Sequence, residues 1–269
     1  MRKIFSISLL AVILLSACNR VPITKRKQSA WGSEASLEKM SDTAYTNFLQ
    51  THKLTSNKQQ SELVKKVGTK ISSAITEFFK TYENGKYANR VSSYKWEFNT
   101  VEDPIVNAWC MPGGKVVVYT GLLPVTKDEN GLAVVMGHEI AHAVARHGNE
   151  RMTQQMKAQG LGTVLSVAVS GSPSSTQNVF MSVFGIAGNL SLLKYSRGHE
   201  TEADKIGLVF MALAGYDPNE SIAFWERMSK LSGNAQVPVF LSTHPSDDQR
   251  IQDLKNWMPE ALKYYKKAQ

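Results

Sequence analysis

The chain has 269 residues and carries 31 Lys and Arg against 23 Asp and Glu, a formal charge of +8. The surplus is spread out, with small clusters at Lys25, Arg26, Lys27 and at Lys263, Lys266, Lys267, so solvated faces explain most of it and no nucleic-acid partner is expected. Two cysteines exclude a disulfide framework, and the length suits one domain with a core of its own.

In chain order, Arg2 and Lys3 precede an apolar run from Ile4 to Leu15 that is too short to span a bilayer and has the shape of a secretory signal. The run ends in Leu15-Ser16-Ala17-Cys18, which resembles the lipobox of bacterial lipoproteins. That resemblance implies cleavage before Cys18, lipidation of Cys18 and membrane anchoring through several acyl chains. Asn19 stands where an inner-membrane lipoprotein commonly has aspartate, which favours the outer membrane. The expected division is a signal peptide at 1–17, a lipidated tether at 18–33 and one folded domain at 34–269. The cluster at Lys25–Lys27 would then lie close to an acidic membrane surface.

Glu34 to Thr55 and Lys58 to Tyr82 read as helices, and a strand pattern follows around Tyr94 to Val101. The stretch Asn107-Ala108-Trp109-Cys110-Met111-Pro112-Gly113-Gly114, followed by Lys115 to Gly121, reads as a hairpin, with Pro112 and Gly113 suited to the centre of a type II turn. Cys110 falls in a strand pattern and reads as a small buried hydrophobe. Thr126 to Gly148 then reads as a helix. Thr126 and Glu129 suggest a capping box, Leu132, Val135, Met136, Ile140 and Val144 keep helical spacing, and Gly148 suits the position past the end.

Inside that helix lies His138-Glu139-Ile140-Ala141-His142. Residues four apart share a helix face, so His138 and His142 can hold one zinc ion while Glu139 beside them serves as the base of a hydrolysis. Catalytic zinc usually takes three protein ligands. A longer motif on the same helix does not supply the third, since Ala145 and Gly148 stand where glycine and histidine would be needed. His147 is nine residues from His138, on the far side of the helix, and reads as a cation at the helix end.

Leu161 to Leu193 is apolar but broken by Gly171, Ser172, Pro173, Ser174 and Ser175, so buried helices or a lid over the cleft are expected, with Gly160, Gly162 and Gly185 as bends. A second helix is expected from Ser196 to near Gly215. Glu200 and Asp204 share one face with Ala203, Gly207 and Met211, whose small members permit close approach to the first helix, whereas Glu202 points the opposite way. Glu200 is therefore the expected third ligand, and Asp204 the acceptor for the remaining ring N–H of a zinc histidine.

These residues resemble metallopeptidase family 48, which holds the CAAX prenyl endopeptidases, the HtpX-type membrane proteases and the Oma-type mitochondrial proteases. The likeness covers roughly residues 60 to 255 and rests on H-E-x-x-H with E-x-x-x-D, here His138, Glu139, His142, Glu200 and Asp204. The hairpin before the zinc helix and a C-terminal H-P-x-x-x-x-R pattern, His244-Pro245 with Arg250, add to it. By layout the periplasmic lipoprotein proteases of the family are most similar. The resemblance implies an α+β, mostly helical, gluzincin-like zincin domain with a small β-sheet and one Zn2+ per chain. It also implies a zinc metalloendopeptidase acting on unfolded or misassembled cell-envelope polypeptides as quality control. Asn107, Ala108 and Trp109 would form an edge strand that pairs with substrate backbone. His244 is left with three roles: helix cap, stabiliser of the developing oxyanion, or a regulatory fourth ligand as the resemblance implies; Arg250 would support the site. The rival expectation is a lipoprotein chaperone or assembly factor that uses the same groove without hydrolysis. Oligomeric state leaves no mark in the sequence.

Overall fold

The computed structural model describes residues 18–158, 174–184, 195–231, 238–245 and 248–265. The first strands, β1 (Cys18–Arg20) and β2 (Lys27–Ser29), pair antiparallel with Asn19 opposite Gln28. Helices α1 (Glu34–Thr51) and α2 (Lys58–Thr81) follow, then β3 (Glu97–Val101), β4 (Ala108–Met111) and β5 (Lys115–Tyr119). The rest is helical: a single turn α3 (Leu123–Thr126), α4 (Glu129–Val144), α5 (His147–Ala158) and α6 (Ser174–Phe184). After them come α7 (Arg197–Leu213), α8 (Glu220–Leu231), α9 (Val239–Thr243) and α10 (Asp248–Leu262). The architecture is mostly helical with a small three-stranded sheet beside the β1–β2 pair, as the α+β expectation requires.

The sheet order is β3-β5-β4, with β3 parallel and β4 antiparallel to β5. Every residue of β5 is buried, because its two faces meet different partners. Val117 and Tyr119 pack with Tyr45 and Phe48 of α1, while Val116 and Val118 join the main core with residues of α2 and α4. The turn between β4 and β5 places Gly113 at φ +83° and donates Gly114 N–H to Met111 O at 3.2 Å, the geometry a type II turn needs at that position. Cys110 is a free, buried thiol whose burial pushes its pKa well up, consistent with a packing role.

Helix α4 is buried from Gly131 to Val144 on all sides and forms the axis of the domain, enclosed by α2, α7, α8 and β4. Its ends differ from expectation. Asp128, not Thr126, caps it, accepting from Gly131 N–H at 3.0 Å, and Thr126 instead closes α3 through Leu123 O. The short aspartate satisfies an orphan donor of the first turn more directly than a capping box two residues earlier. At the other end the helix stops at Val144. Arg146 adopts φ +59°, the chain turns, and Gly148 lies within α5 against Phe184 rather than past a helix end.

Residues 18–33 are not a free spacer. Val21 is wholly buried, Gln28 donates to Ala145 O at 2.6 Å, and Arg26 is bound by two carboxylates, so the segment is a folded strap on the domain. The expected signal at 1–17 and, of the 161–193 segment, all but α6 lie outside the described residues, as do the bends at Gly160, Gly162 and Gly185. Within α6, Val179, Phe180 and Val183 pack with Leu37, Met111, Met152 and Met156. Among the described residues no helix is long and apolar enough to cross a membrane.

Candidate metal centre

The site begins where α4 crosses α7. A Cβ on Gly137 would stand 3.0 Å from Gly207 O, and one on Gly207 would stand 3.0 Å from His138 N. Two glycines thus let the backbones touch, which brings the side chains just beyond them onto one point. Ser196 caps α7 by accepting from His199 N–H at 3.2 Å, so Glu200 projects from the first turn of that helix toward α4.

Four ligand atoms converge there: one each from His138, His142, Glu200 and His244, all buried and all within 4.8 Å of one another. His138 Nε2 lies 3.0 Å from His142 Nε2 and 3.2 Å from His244 Nδ1. Glu200 oxygens lie 3.4 Å from His138 Nε2, 3.5 Å from His142 Nε2 and 3.0 Å from His244 Nδ1. An ion bound tetrahedrally at about 2.0–2.1 Å by nitrogen and oxygen holds its ligands about 3.3–3.4 Å apart, and these five separations, 3.0 to 3.5 Å, lie close to that spacing. Two of the four ligands already have the protonation a metal needs, whereas for His138 the carboxylates of Asp204 and Glu200 outweigh burial and raise its pKa. Burial keeps His142 well below the ordinary imidazole range and hence neutral, and for Glu200 the surrounding histidines outweigh burial and keep it a carboxylate. Glu139 adjoins the cluster; burial pushes its carboxyl up to about 7, and its Oε1 is buried without a hydrogen bond.

The comparison with known proteins decides what this arrangement belongs to. The family described as Peptidase family M48 matches residues 80–258, more than half of the chain. The chain belongs to peptidase family M48. The family's metal is zinc, and the ligand set fits it. Among relatives, the mitochondrial metalloendopeptidase OMA1 of Schizosaccharomyces pombe is 42% identical over 172 residues, 64% of this chain and 49% of that protein. Human OMA1, a mitochondrial metalloendopeptidase, is 34% identical over 180 residues, 64% of this chain and 34% of its own length. The beta-barrel assembly-enhancing protease of Yersinia pestis is 31% identical over 190 residues, 68% of this chain and 38% of that protein. The chain thus spans half or less of the length of these relatives.

In this M48 domain each zinc histidine is held from behind, and only one of the two supports was expected. His138 Nδ1 lies 2.9 Å from Asp204 Oδ1, and Arg250 joins the pair by donating to Asp204 at 2.7 Å and to Glu200 at 3.2 Å. Arg250 also donates to Pro245 O at 3.0 Å, bracing the turn that carries His244, and its guanidinium stacks 3.3 Å above the Trp225 ring. His142 leans on His147, which is no helix-end cation. His147 is fully buried, 2.9 Å from His142 Nδ1 on one side and 2.9 Å from Glu202 Oε2 on the other, and burial lowers its pKa to about 4. With Nε2 of His142 turned to the metal, His142 Nδ1–H donates to His147 Nδ1, and His147 Nε2–H donates to Glu202. The left-handed turn at Arg146 makes this possible, since a continued helix would carry His147 away. Glu202 does face away from the metal, but it anchors this relay and accepts from Arg26 Nε at 2.7 Å and from Thr24. Arg26 forks onto Glu150 with its other two nitrogens at 2.9 and 2.7 Å. Of the basic cluster at Lys25–Lys27, Arg26 is therefore an internal partner and not a solvated charge. Glu202→Gln is expected to weaken zinc binding by about ten- to 100-fold, the usual loss when a histidine's supporting partner is removed. Competition with a chromophoric chelator reads this directly, and an unchanged affinity would remove the relay from the site.

A narrow groove of about 30 Å³ opens beside Glu139. One wall is the stretch Asn107 to Met111, and the other includes Thr243, His244, Tyr195, Val183 and Phe184. Among the described residues β4 pairs with β5 alone, so its outer edge faces this groove. Asn107 and Ala108 are buried, and the Trp109 ring packs edge-on against Phe48 at 5.0 Å, so β4 offers the groove chiefly backbone. Tyr195, just before the α7 cap, was not expected at the site. It lies 4.0 Å from the His142 ring in a tilted stack; an aromatic at the entry to the second metal helix was its sequence signal.

Proposed function

We propose that this chain is a zinc-dependent endopeptidase that cuts unfolded or misassembled polypeptides of the cell envelope, held at a membrane by acylated Cys18. The observation that carries the enzymatic reading is Glu139, a buried carboxylate with an unbonded oxygen, set between four zinc-ligand atoms and the open edge of β4. Zinc, when bound, supplies Lewis acidity for the scissile carbonyl and acidifies water. Glu139, poised near neutral pH, takes the proton from the attacking water and passes it to the leaving amine. The peptide lies extended along Asn107, Ala108 and Trp109 and is read through its main chain, which tolerates varied side chains and suits unfolded substrates. Casein cleavage by the full chain, abolished by chelation and restored by zinc, is the expected result; cleavage unaffected by chelation would sink the proposal.

The envelope assignment draws support from the Cys18 lipobox and from the name of the Yersinia relative. The chaperone alternative has no observation in its favour, whereas the family match and the metal-ligand cluster support the enzymatic reading.

His244 supports a regulated form of the enzyme. Its Nδ1 stands at the fourth corner of the ligand tetrahedron and its Nε2 is 3.4 Å from Glu139 Oε1, so it occupies the corner that water needs and faces the base. In this reading His244 withdraws from that corner when substrate enters. His244→Ala is expected to raise casein cleavage several-fold with zinc content unchanged. A loss of cleavage with zinc retained would instead assign His244 to stabilising the reaction.

A further inference from the structure

The two buried carboxylates beside His147 and His199 take most of their remaining donors from the strap. Glu150 of α5 and Glu202 of α7 have side chains only 10% and 5% exposed, and Arg26 spans both. Its Nε donates to Glu202 Oε2 at 2.7 Å, while Nη1 and Nη2 fork onto Glu150 at 2.9 and 2.7 Å. Thr24 donates its hydroxyl to the other Glu202 oxygen. Gln28 divides its amide between Glu150 Oε2 at 3.0 Å and the carbonyl of Ala145 at 2.6 Å, the first residue past the helix that carries the zinc histidines. Glu202 Oε2 therefore accepts from the strap and from His147 Nε2–H, 2.9 Å away, at the same atom. Without the guanidinium, two buried carboxylates would face each other uncompensated, and Glu202 would not keep the position that the relay to His142 needs.

We propose that Arg26 is a positioning residue of the metal centre: it holds His142 through Glu202 and His147, and so couples docking of the strap to the binding of zinc. Two effects of the guanidinium oppose each other. As a positive charge it repels the metal ion, so charge alone predicts tighter zinc binding when Arg26 is removed. As the clamp on Glu202 it fixes the ring of a ligand histidine, a support whose loss weakens metal binding by about ten- to 100-fold. The second effect wins here, because Arg26 meets the relay by direct hydrogen bonds whereas its charge is offset by both carboxylates. Coupling is reciprocal: a docked strap that strengthens zinc binding is itself held down by bound zinc, by the same factor. Arg26 is eight residues from Cys18, so a lipid anchor at that cysteine acts on the same segment. The inference rests on zinc held by His138, His142 and Glu200; its readouts are metal binding and strap protection, which a failure to cleave casein leaves untouched.

The test is the zinc affinity of the full chain, by competition with a chromophoric chelator, in the parent, Arg26→Gln, Glu202→Gln and the double variant. Arg26→Gln is expected to bind zinc about tenfold more weakly. In the Glu202→Gln background the same substitution is expected to change the affinity by no more than about twofold, since its route to His142 is already cut. Thr24→Val removes the other strap donor to Glu202 with no change of charge; it is expected to weaken zinc binding by a smaller factor, and it carries the test if Arg26→Gln does not fold. Hydrogen exchange over residues 20–28, read by mass spectrometry, gives the reverse direction: chelation of the parent is expected to speed it by a larger factor than exchange in β3. Unchanged or tighter zinc binding in these strap variants, equal losses with and without the Glu202 carboxylate, or a strap whose exchange ignores chelation would overturn the proposal. A parent that binds no zinc would overturn it together with the metal site.

Discussion

Glu139→Gln is expected to lower casein cleavage by about 10²- to 10⁴-fold while zinc content stays at that of the parent. The substitution keeps the shape of the side chain and removes only its capacity to hold a proton in transit. None of the four ligand atoms changes, and the supports behind His138 and His142 remain. Stability supplies a second readout. Burial raises the Glu139 pKa from the ordinary carboxylate range to about 7, so in the folded state its ionised form is disfavoured. A group with a raised folded pKa weakens the fold as pH rises from its unfolded value through its folded one, and a neutral glutamine escapes that cost. The variant is therefore expected to unfold at a temperature no lower than the parent at neutral pH. Loss of zinc or of stability on this substitution would mean that Glu139 is part of the frame and not the base. Cleavage at the parent's rate would remove the proposed mechanism.

Gly207→Val is expected to destabilise the domain by about 3 kcal/mol or more and to release zinc. Its Cβ would stand 3.0 Å from His138 N and 3.1 Å from His138 Cα and Gly137 C, all backbone atoms that no rotamer change can move aside. Overpacking of a close-packed contact costs about 1–3 kcal/mol, and the branched side chain adds two methyl groups to the same gap. At about 2–4 °C per kcal/mol for a domain of this size, the unfolding temperature should fall by about 10 °C. The displacement also separates Glu200 from His138 and His142, so the zinc-bound and chelated forms of the variant should unfold at nearly the same temperature, whereas in the parent chelation lowers it. A variant that keeps zinc and its unfolding temperature would show that the helix contact at Gly137 and Gly207 is slack.

His138, Glu139 and His142 were legible because helical spacing is a local property: once α4 forms, the three side chains have fixed relative directions whatever surrounds them. Glu200 and Asp204 were legible for the same reason, and the small residues on their face announced that α7 comes close to another backbone. The Pro112-Gly113 turn and its flanking strands were equally local. What the sequence by itself determined, then, was which side chains share a face on each of the two helices that meet at the site. Tertiary structure alone decided the rest. The boundary at Arg146 depends on a left-handed residue held by Glu34, 112 positions earlier in the chain, and with it the conversion of His147 from an apparent surface cation into the neutral support of His142. Arg26 looked like one more solvated charge because its partners, Glu150 and Glu202, are more than 120 residues away. β4 became the open edge only because β3 pairs parallel with β5, an ordering that alternation of apolar residues does not encode. Spacing along one helix is set by backbone geometry, whereas pairing between distant elements is set by which buried charges and faces find each other when the chain closes.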